Sequence, residues 1–330
     1  MKIVITGANG FVGASLCRYF SKQGHEVIAT GRQQDPNAKL LTYATYIPFN
    51  IIKPIEYFNA DVCIHAAGLA TDQVDYDNLF LNNVVGTANV LEASKNCKLF
   101  IFISSSSVYN FTNKPAVEPD ADLSAHLSDY GRTKLMAEEL VKNNIPLTQQ
   151  RLVLRPRAIY GIGDRHLLSR LLKLVRWQTI FYPADNKLQT SATHINNIAY
   201  AIELFFSQKD KPELQVFNIA DDEIYSFKDI TLKIVNAVEG RHLKVVDVST
   251  KVLKSLAYIS PKRVSPLALK TLTQNSVLDL SSIRENLNYK PLYDFGGSFE
   301  EIGEWVRNMG GKKVYLNNLD NAPWILNDKL

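Results

Sequence analysis

Apolar positions in the first half of the chain fall into two alternating rhythms. Short unbroken runs, "KIVIT" at 2–6, "EVIAT" at 26–30, "DVCIHAA" at 61–67, "KLFIFISS" at 98–105 and "RLVLR" at 151–155, are rich in β-branched and aromatic residues. Runs of that kind predict strands covered on both faces. Between them, apolar residues recur at helical spacing through about Lys22, through "LNNVVGTANVLEASK" and through the stretch holding Tyr130. Strands alternating with helices predict an α/β fold with a doubly wound parallel sheet of the Rossmann type.

Beyond about residue 160 the rhythm loosens. "HLLSRLLKLVRW" has leucines at helical spacing, "QVFNIA" reads as a further strand, and "SFKDITLKIVNAVEG" reads as an amphipathic helix stopped by glycine. The expected organisation is a dinucleotide-binding domain over 1–160, to which segments around 190–220 return, and a smaller C-terminal substrate lobe over 161–310. The last stretch, 311–330, lacks a clear period and is expected to be a partly ordered tail.

Composition narrows the function classes. The chain has 330 residues, 46% hydrophobic and 21% charged, as in ordinary globular proteins. A net charge of +4 is spread without a polybasic block, so nucleic acid is not implied. Cys17, Cys63 and Cys97 have neither CxxC spacing nor a disulfide framework, which suits a reducing compartment and offers no metal site. No apolar run reaches the length of a membrane span, about 18 residues, and the expected location is cytoplasmic.

"TGANGFVG" follows the first strand and opens a helix. Gly7, Gly10 and Gly13 let backbone approach a pyrophosphate at a helix N-terminus, which makes Asn9, Phe11 and Val12 candidate cofactor contacts with them. At the end of the second strand, where an acidic residue would hold the ribose of NAD, the chain has Gly31 and Arg32. An arginine there pairs with a 2′-phosphate, which favours NADP over NAD. Its alternative is to stack on adenine or face solvent.

Tyr130 and Lys134 sit one helical turn apart in "YGRTK". A phenol with a pKa near 10 is a sluggish proton donor or acceptor at neutral pH, and a neighbouring ammonium lowers that value. Upstream, "FISSSSVYN" ends a strand at its carboxyl end, where ligands of open α/β sheets bind, so Ser105 or a neighbour is placed to hydrogen-bond a substrate oxygen.

With these residues in view, the chain resembles the extended short-chain dehydrogenase/reductase family, also called the NAD-dependent epimerase/dehydratase family. The resemblance rests on "TGANGFVG", "DVCIHAAG", "NNVVGT", "SSSSVY", "YGRTK", "LRPRAIYGIGD" and "SIRENLNYKP", in that order. It implies Tyr130 as proton donor or acceptor, Lys134 as its partner, Ser105 as the catalytic hydroxyl and Asn83 as support for the active-site region. It also implies that Ala66, Ala67 and Gly68 run along the cofactor phosphates and that Pro156 lies beside the nicotinamide. Asn50, followed by Ile51, stands where relatives carry an aspartate near the adenine.

Dehydratases of the family follow the catalytic hydroxyl with an acid pair; here Ser106 and Ser107 stand there, which argues against dehydration. The later motifs look like the 3β-hydroxysteroid dehydrogenase-like branch. The expected function is NAD(P)-dependent interconversion of a secondary alcohol and a ketone. A nucleotide-sugar 4-epimerase is the rival, and a non-catalytic NAD(P)-binding scaffold or sensor the reading from another class. Ser106 and Arg165 are candidate substrate contacts, no metal is expected, and a homodimer is a prior taken from relatives.

Overall fold

The computed structural model describes residues 1–71, 74–143, 149–176, 178–183, 188–249 and 274–325. Six strands come first: β1 Lys2–Thr6, β2 Glu26–Gly31, β3 Thr45–Pro48, β4 Val62–His65, β5 Leu99–Ile103 and β6 Gln150–Pro156. With Leu214–Ile219 they form one seven-stranded sheet, in which that last strand lies outside β6 and the order continues β5, β4, β1, β2, β3. Every neighbouring pair is parallel. The order reverses between β1 and β4, and such a switch point opens a crevice at the carboxyl ends of the strands.

β4 and β5 are buried along their whole length, as their unbroken apolar runs require. One face of the sheet is covered by the helix Phe11–Lys22, which packs on the helix Ile195–Ser207. On the other, Val90, Leu91, Ala137 and Val141 from two further helices close over Val4, Cys63, Phe100 and Phe102.

A second apolar cluster joins Leu168, Leu171, Ile180, Tyr182, Ile234, Val238, Ile302 and Trp305. Its main pair is the helix Phe227–Glu239, ended by Gly240 at φ 66°, and the helix Phe295–Asn308. The leucine-rich stretch beginning at His166 is helical only over Leu167–Leu172. Val175–Arg176 then turns into a strand pairing antiparallel with Thr179–Pro183, so sheet pairing overrides the helical spacing there.

The C-terminal stretch packs against the body as far as the structure describes it, to residue 325. Residues Lys312–Asn317 are helical, and Tyr315, Ala322 and Trp324 are buried. Arg18 of the first helix donates to Pro323 O at 2.5 Å, and its guanidinium lies 5.6 Å from the Trp324 ring centroid. No described helix is long and apolar enough to cross a membrane.

Candidate active site

The glycine turn is shaped by contact. Gly7 has φ 72°, and a Cβ on it would lie 2.8 Å from the Ala67 backbone, so β1 and the Ala66–Gly68 loop can meet only through glycine. A Cβ on Gly13 would overlap the Gly7 carbonyl. Asn9 Nδ2 donates to the Tyr46 hydroxyl at 3.2 Å, while Asn9 Oδ1 is buried without a partner among the described residues. Gly31 packs under this pair, since a Cβ there would lie 2.7 Å from Asn9 Nδ2. Arg32 is exposed, and none of the ion pairs among the described residues engages it. A backbone turn free of side chains, an orphaned acceptor and an open cation fit a dinucleotide.

Two of the expected contacts in this half are committed to the fold. Phe11 is 4% exposed and packs into the core beside Gly163. Ile51 is buried against Gly86, and its carbonyl accepts Asn89 Nδ2 at 2.8 Å. Val12 is half-buried. Asn50 is half-buried too, and its Oδ1 accepts the Ile52 amide at 3.3 Å.

Beneath the turn runs a directed chain of hydrogen bonds. The Ala67 amide donates to Thr6 Oγ1 at 3.2 Å, which lies 2.7 Å from His65 Nδ1; His65 Nε2 lies 3.0 Å from Thr87 Oγ1. Thr87 Oγ1 donates its single proton to Asn83 O at 2.6 Å, so Nε2 must be the protonated nitrogen and Nδ1 the acceptor. Burial, then the nearby Lys134, lowers the His65 pKa to about 3, keeping the ring neutral. Sequence reading passed over His65 because its partners come from two distant segments.

Asn83 lies in a π-helical turn, Leu81–Val85, between two α-helical pieces. Its amide clamps Leu69, accepting from that residue's N at 2.8 Å and donating to its O at 3.1 Å. It also donates to Thr133 Oγ1 at 3.1 Å, and Thr133 donates to Tyr130 O at 3.0 Å. Asn83 thus ties the cofactor-side loop to the first turn of the tyrosine helix. One inserted residue in a helix is a frequent device at functional sites.

The helix Asp129–Asn143 carries Tyr130, Lys134 and Glu138 at successive turns. Tyr130 is half-buried at its start. Lys134 is 5% exposed, so it is no surface charge. Its Nζ donates to Ile103 O at 2.8 Å and stands 3.9 Å from the Phe102 ring centroid. Burial lowers its pKa to about 7, against the pull of Glu138 in the other direction.

The serine loop meets this helix through Gly131, whose missing Cβ leaves room for the Ser107 carbonyl. Ser105 Oγ accepts the Ser107 amide at 3.1 Å and donates to Ser107 Oγ at 3.1 Å. Ser106, expected at the substrate, is 1% exposed and forms part of the core. Ser105 and Ser107 remain half-buried.

Deeper still, Glu138 is fully buried and pairs with Arg155, 2% exposed, at 2.6 Å. Glu138 also accepts Ser104 Oγ at 2.5 Å, while Arg155 donates to Tyr109 Oη and Glu118 O, both at 2.8 Å. This network locks the tyrosine helix, β6 and the serine loop together. Its glutamate did not stand out in the sequence, where it read as an ordinary helix residue.

Pro156 is buried at the end of β6. Arg165 is turned toward the C-terminal segment, 3.4 Å from Asp320 Oδ1 and 3.4 Å from His166 Nε2. That position weakens it as a free substrate anchor. His194 caps its helix, accepting the Asn196 amide at 3.2 Å, and stacks on Tyr293 at 4.5 Å.

Residues 3–220 match the model of the NAD-dependent epimerase/dehydratase family. A 2-alkyl-3-oxoalkanoate reductase of Stenotrophomonas maltophilia is 30% identical over 62% of this chain and 65% of that protein's length. A 3-beta-hydroxysteroid dehydrogenase of Mycolicibacterium neoaurum is 26% identical over 88% of this chain and 87% of its own. Among solved structures, the UDP-glucuronic acid 4-epimerase of Bacillus cereus in complex with NAD superposes with a TM-score of 0.73. It is 23% identical and covers 94% of this chain and 99% of its own, a likeness of fold.

Proposed function

This chain belongs to the NAD-dependent epimerase/dehydratase family of enzymes, and we propose that it is a reductase or dehydrogenase interconverting a secondary alcohol and a ketone, with NADP preferred. The observation that carries the reading is the buried Lys134, held on the same helix as Tyr130 and one turn away. Burying an ammonium is costly without a task that needs it.

Gly7, Gly10, Gly13, Asn9 and the Ala66–Gly68 loop would hold the dinucleotide, whose nicotinamide supplies or takes the hydride. Arg32 would pair with a 2′-phosphate. Gly31 supports this preference, because any side chain there, acidic ones included, would meet Asn9 and Tyr46. Ser105 orients the substrate oxygen by hydrogen bond. Tyr130 gives or removes the proton on that oxygen, and the Lys134 ammonium stabilises the phenolate left behind. His65 and Asn83 act through others: they hold the cofactor loop and the tyrosine helix in register.

A soluble ketone panel with NADPH and NADH, followed by absorbance, tests the reading. Stoichiometric oxidation of NADPH by a ketone is the expected result. Interconversion of UDP-sugars with no net change in cofactor would instead establish the 4-epimerase.

A further inference from the structure

Ala322 and Trp324, next but one in the chain, are buried in different cores. Ala322 lies with Tyr315 in the cluster built on the helices Phe227–Glu239 and Phe295–Asn308. Trp324 lies in the cluster that holds β1 and the helix Phe11–Lys22. The chain crosses between them in the short turn Ala322–Trp324, closed by the Trp324 amide on Asn321 O at 2.9 Å. Both sides grip the crossing. Trp305 Nε1 donates to Ile325 O at 2.5 Å from one core, and Arg18 Nη1 donates to Pro323 O at 2.5 Å from the other.

What the crossing covers is a joint between the glycine turn and the loop Gly161–His166, which leads from the strand Ile159–Tyr160 to the helix Leu167–Leu172. Gly163, at φ 94°, is pinched there: a Cβ on it would lie 3.1 Å from Pro323 Cα and 3.4 Å from Phe11 Cδ2. Phe11 follows Gly10 and is the first residue of the helix whose N-terminus would face the pyrophosphate. Further along the loop, the Asp164 carboxylate caps its helix, accepting the amides of His166, Leu167 and Leu168 at 2.7, 3.1 and 2.8 Å. The Asp164 carbonyl accepts Tyr315 Oη at 2.7 Å, and Arg165 reaches Asp320. One segment, 315–324, therefore touches the loop at Gly163, Asp164 and Arg165 and the cofactor helix at Arg18.

A helix N-terminus holds phosphate only when its free amides converge on it. Here the first of those residues is anchored through a ring that is 4% exposed and whose neighbour, Gly163, is backed by Pro323. Loosening Pro323 frees both. The cost of ordering the turn again would then be drawn from the binding energy of whatever occupies it.

We infer that the segment 315–324 positions the cofactor turn: docked on Arg18 and Gly163, it holds Phe11 in the arrangement that receives a dinucleotide, and docking and dinucleotide binding strengthen each other. Pro323 and Trp324 act through Gly163, Phe11 and Arg18, as positioning residues. The inference rests on the glycine turn as the dinucleotide site, and is independent of the choice between NADP and NAD or between reductase and epimerase.

The test uses the full-length protein, with NADPH and NADH in separate titrations. In hydrogen exchange, the amides of 312–325 should slow on saturation with the dinucleotide that binds, by about fivefold to a hundredfold, the usual range for coupled sites. The strand Lys244–Val248, paired with Thr179–Pro183 in the other lobe, is the control and should not change. Trp324→Ala should weaken dinucleotide binding by the same factor; in turnover, KM for the dinucleotide should rise and kcat at saturation hold. Trp324→Phe keeps an aromatic face for Arg18 and should restore most of the affinity. If Trp324→Ala does not fold, Arg18→Met, which removes the grip on Pro323 and keeps the aliphatic stem, takes its place with the same loss expected. A lower Tm with unchanged dinucleotide affinity would make the segment a brace for stability alone and overturn the inference. Unchanged exchange of 312–325 on binding would overturn it as well. Failure of wild type to bind either dinucleotide would sink the reading of the glycine turn, and the inference with it.

Discussion

Gly131 and Ser107 touch backbone to backbone: a Cβ on Gly131 would overlap the Ser107 carbonyl oxygen and lie 2.9 Å from its carbonyl carbon. That contact sets the distance between the helix bearing Tyr130 and the loop bearing Ser105. Gly131→Ala must push the two apart. Overpacking of this kind costs about 1–3 kcal/mol of stability, and a misplacement of about 1 Å costs on the order of a hundredfold in rate. Thermal denaturation and kcat measured together check it; a variant with wild-type kcat would show that the contact does not position the site.

Tyr130→Phe removes the hydroxyl proposed to carry the proton, at a half-buried position. The expected loss in kcat is about 10²–10⁴-fold, with Tm and the affinity for NADPH unchanged. Fluorescence titration of NADPH separates a chemical defect from a binding one.

Lys134 makes stability depend on pH in a definite direction. Its folded pKa, about 7, lies below the ordinary lysine value of 10.5. Between these limits the unfolded chain binds more protons than the folded one, so the burial penalty is complete below about pH 7 and fades as pH rises toward about 10. Lys134→Met should therefore be more stable than wild type near neutrality, with the advantage shrinking as the buffer becomes alkaline. Urea denaturation of both proteins from pH 6.5 to 9.5 reads the difference directly. A constant difference across that range would contradict the titration.

Glu138→Gln leaves Arg155 buried and short of its counter-charge. Removing one partner of a buried pair costs about 3–5 kcal/mol. A double-mutant cycle with Arg155→Met should recover much of the loss, and because Ser104 also rests on Glu138, kcat should fall in the single variant before the fold fails.

Arg32→Ala should weaken NADPH by about tenfold or more, the scale of a charged hydrogen bond to phosphate, and leave NADH unaffected. Equal effects on both would assign the side chain to adenine or to solvent.

Much of the frame was legible because its signals are local. The alternation of apolar runs marked β1, β2, β4, β5 and β6, and the glycines at 7, 10 and 13 marked the turn by their spacing alone. Tyr130 and Lys134 were legible as a pair four residues apart, yet only coordinates separate a buried lysine from a solvated one. The remaining features are long-range. Glu138, on its helix, meets an arginine from β6, and His65 takes partners from β1 and from the helix starting at Gly86. Pairings of that sort leave no periodic trace. Ser106 and Arg165 show the converse: both had suitable chemistry, but a short turn buried one and the C-terminal segment engaged the other.

The grip of Pro323 and Trp324 on Arg18 sets an order of assembly. The helix that opens at the glycine turn is synthesised 305 residues ahead of the segment that holds its outer side. Contacts across so long a separation form late in folding. Synthesis of the first 160 residues therefore leaves that helix without its brace, which only the emergence of Pro323 and Trp324 supplies.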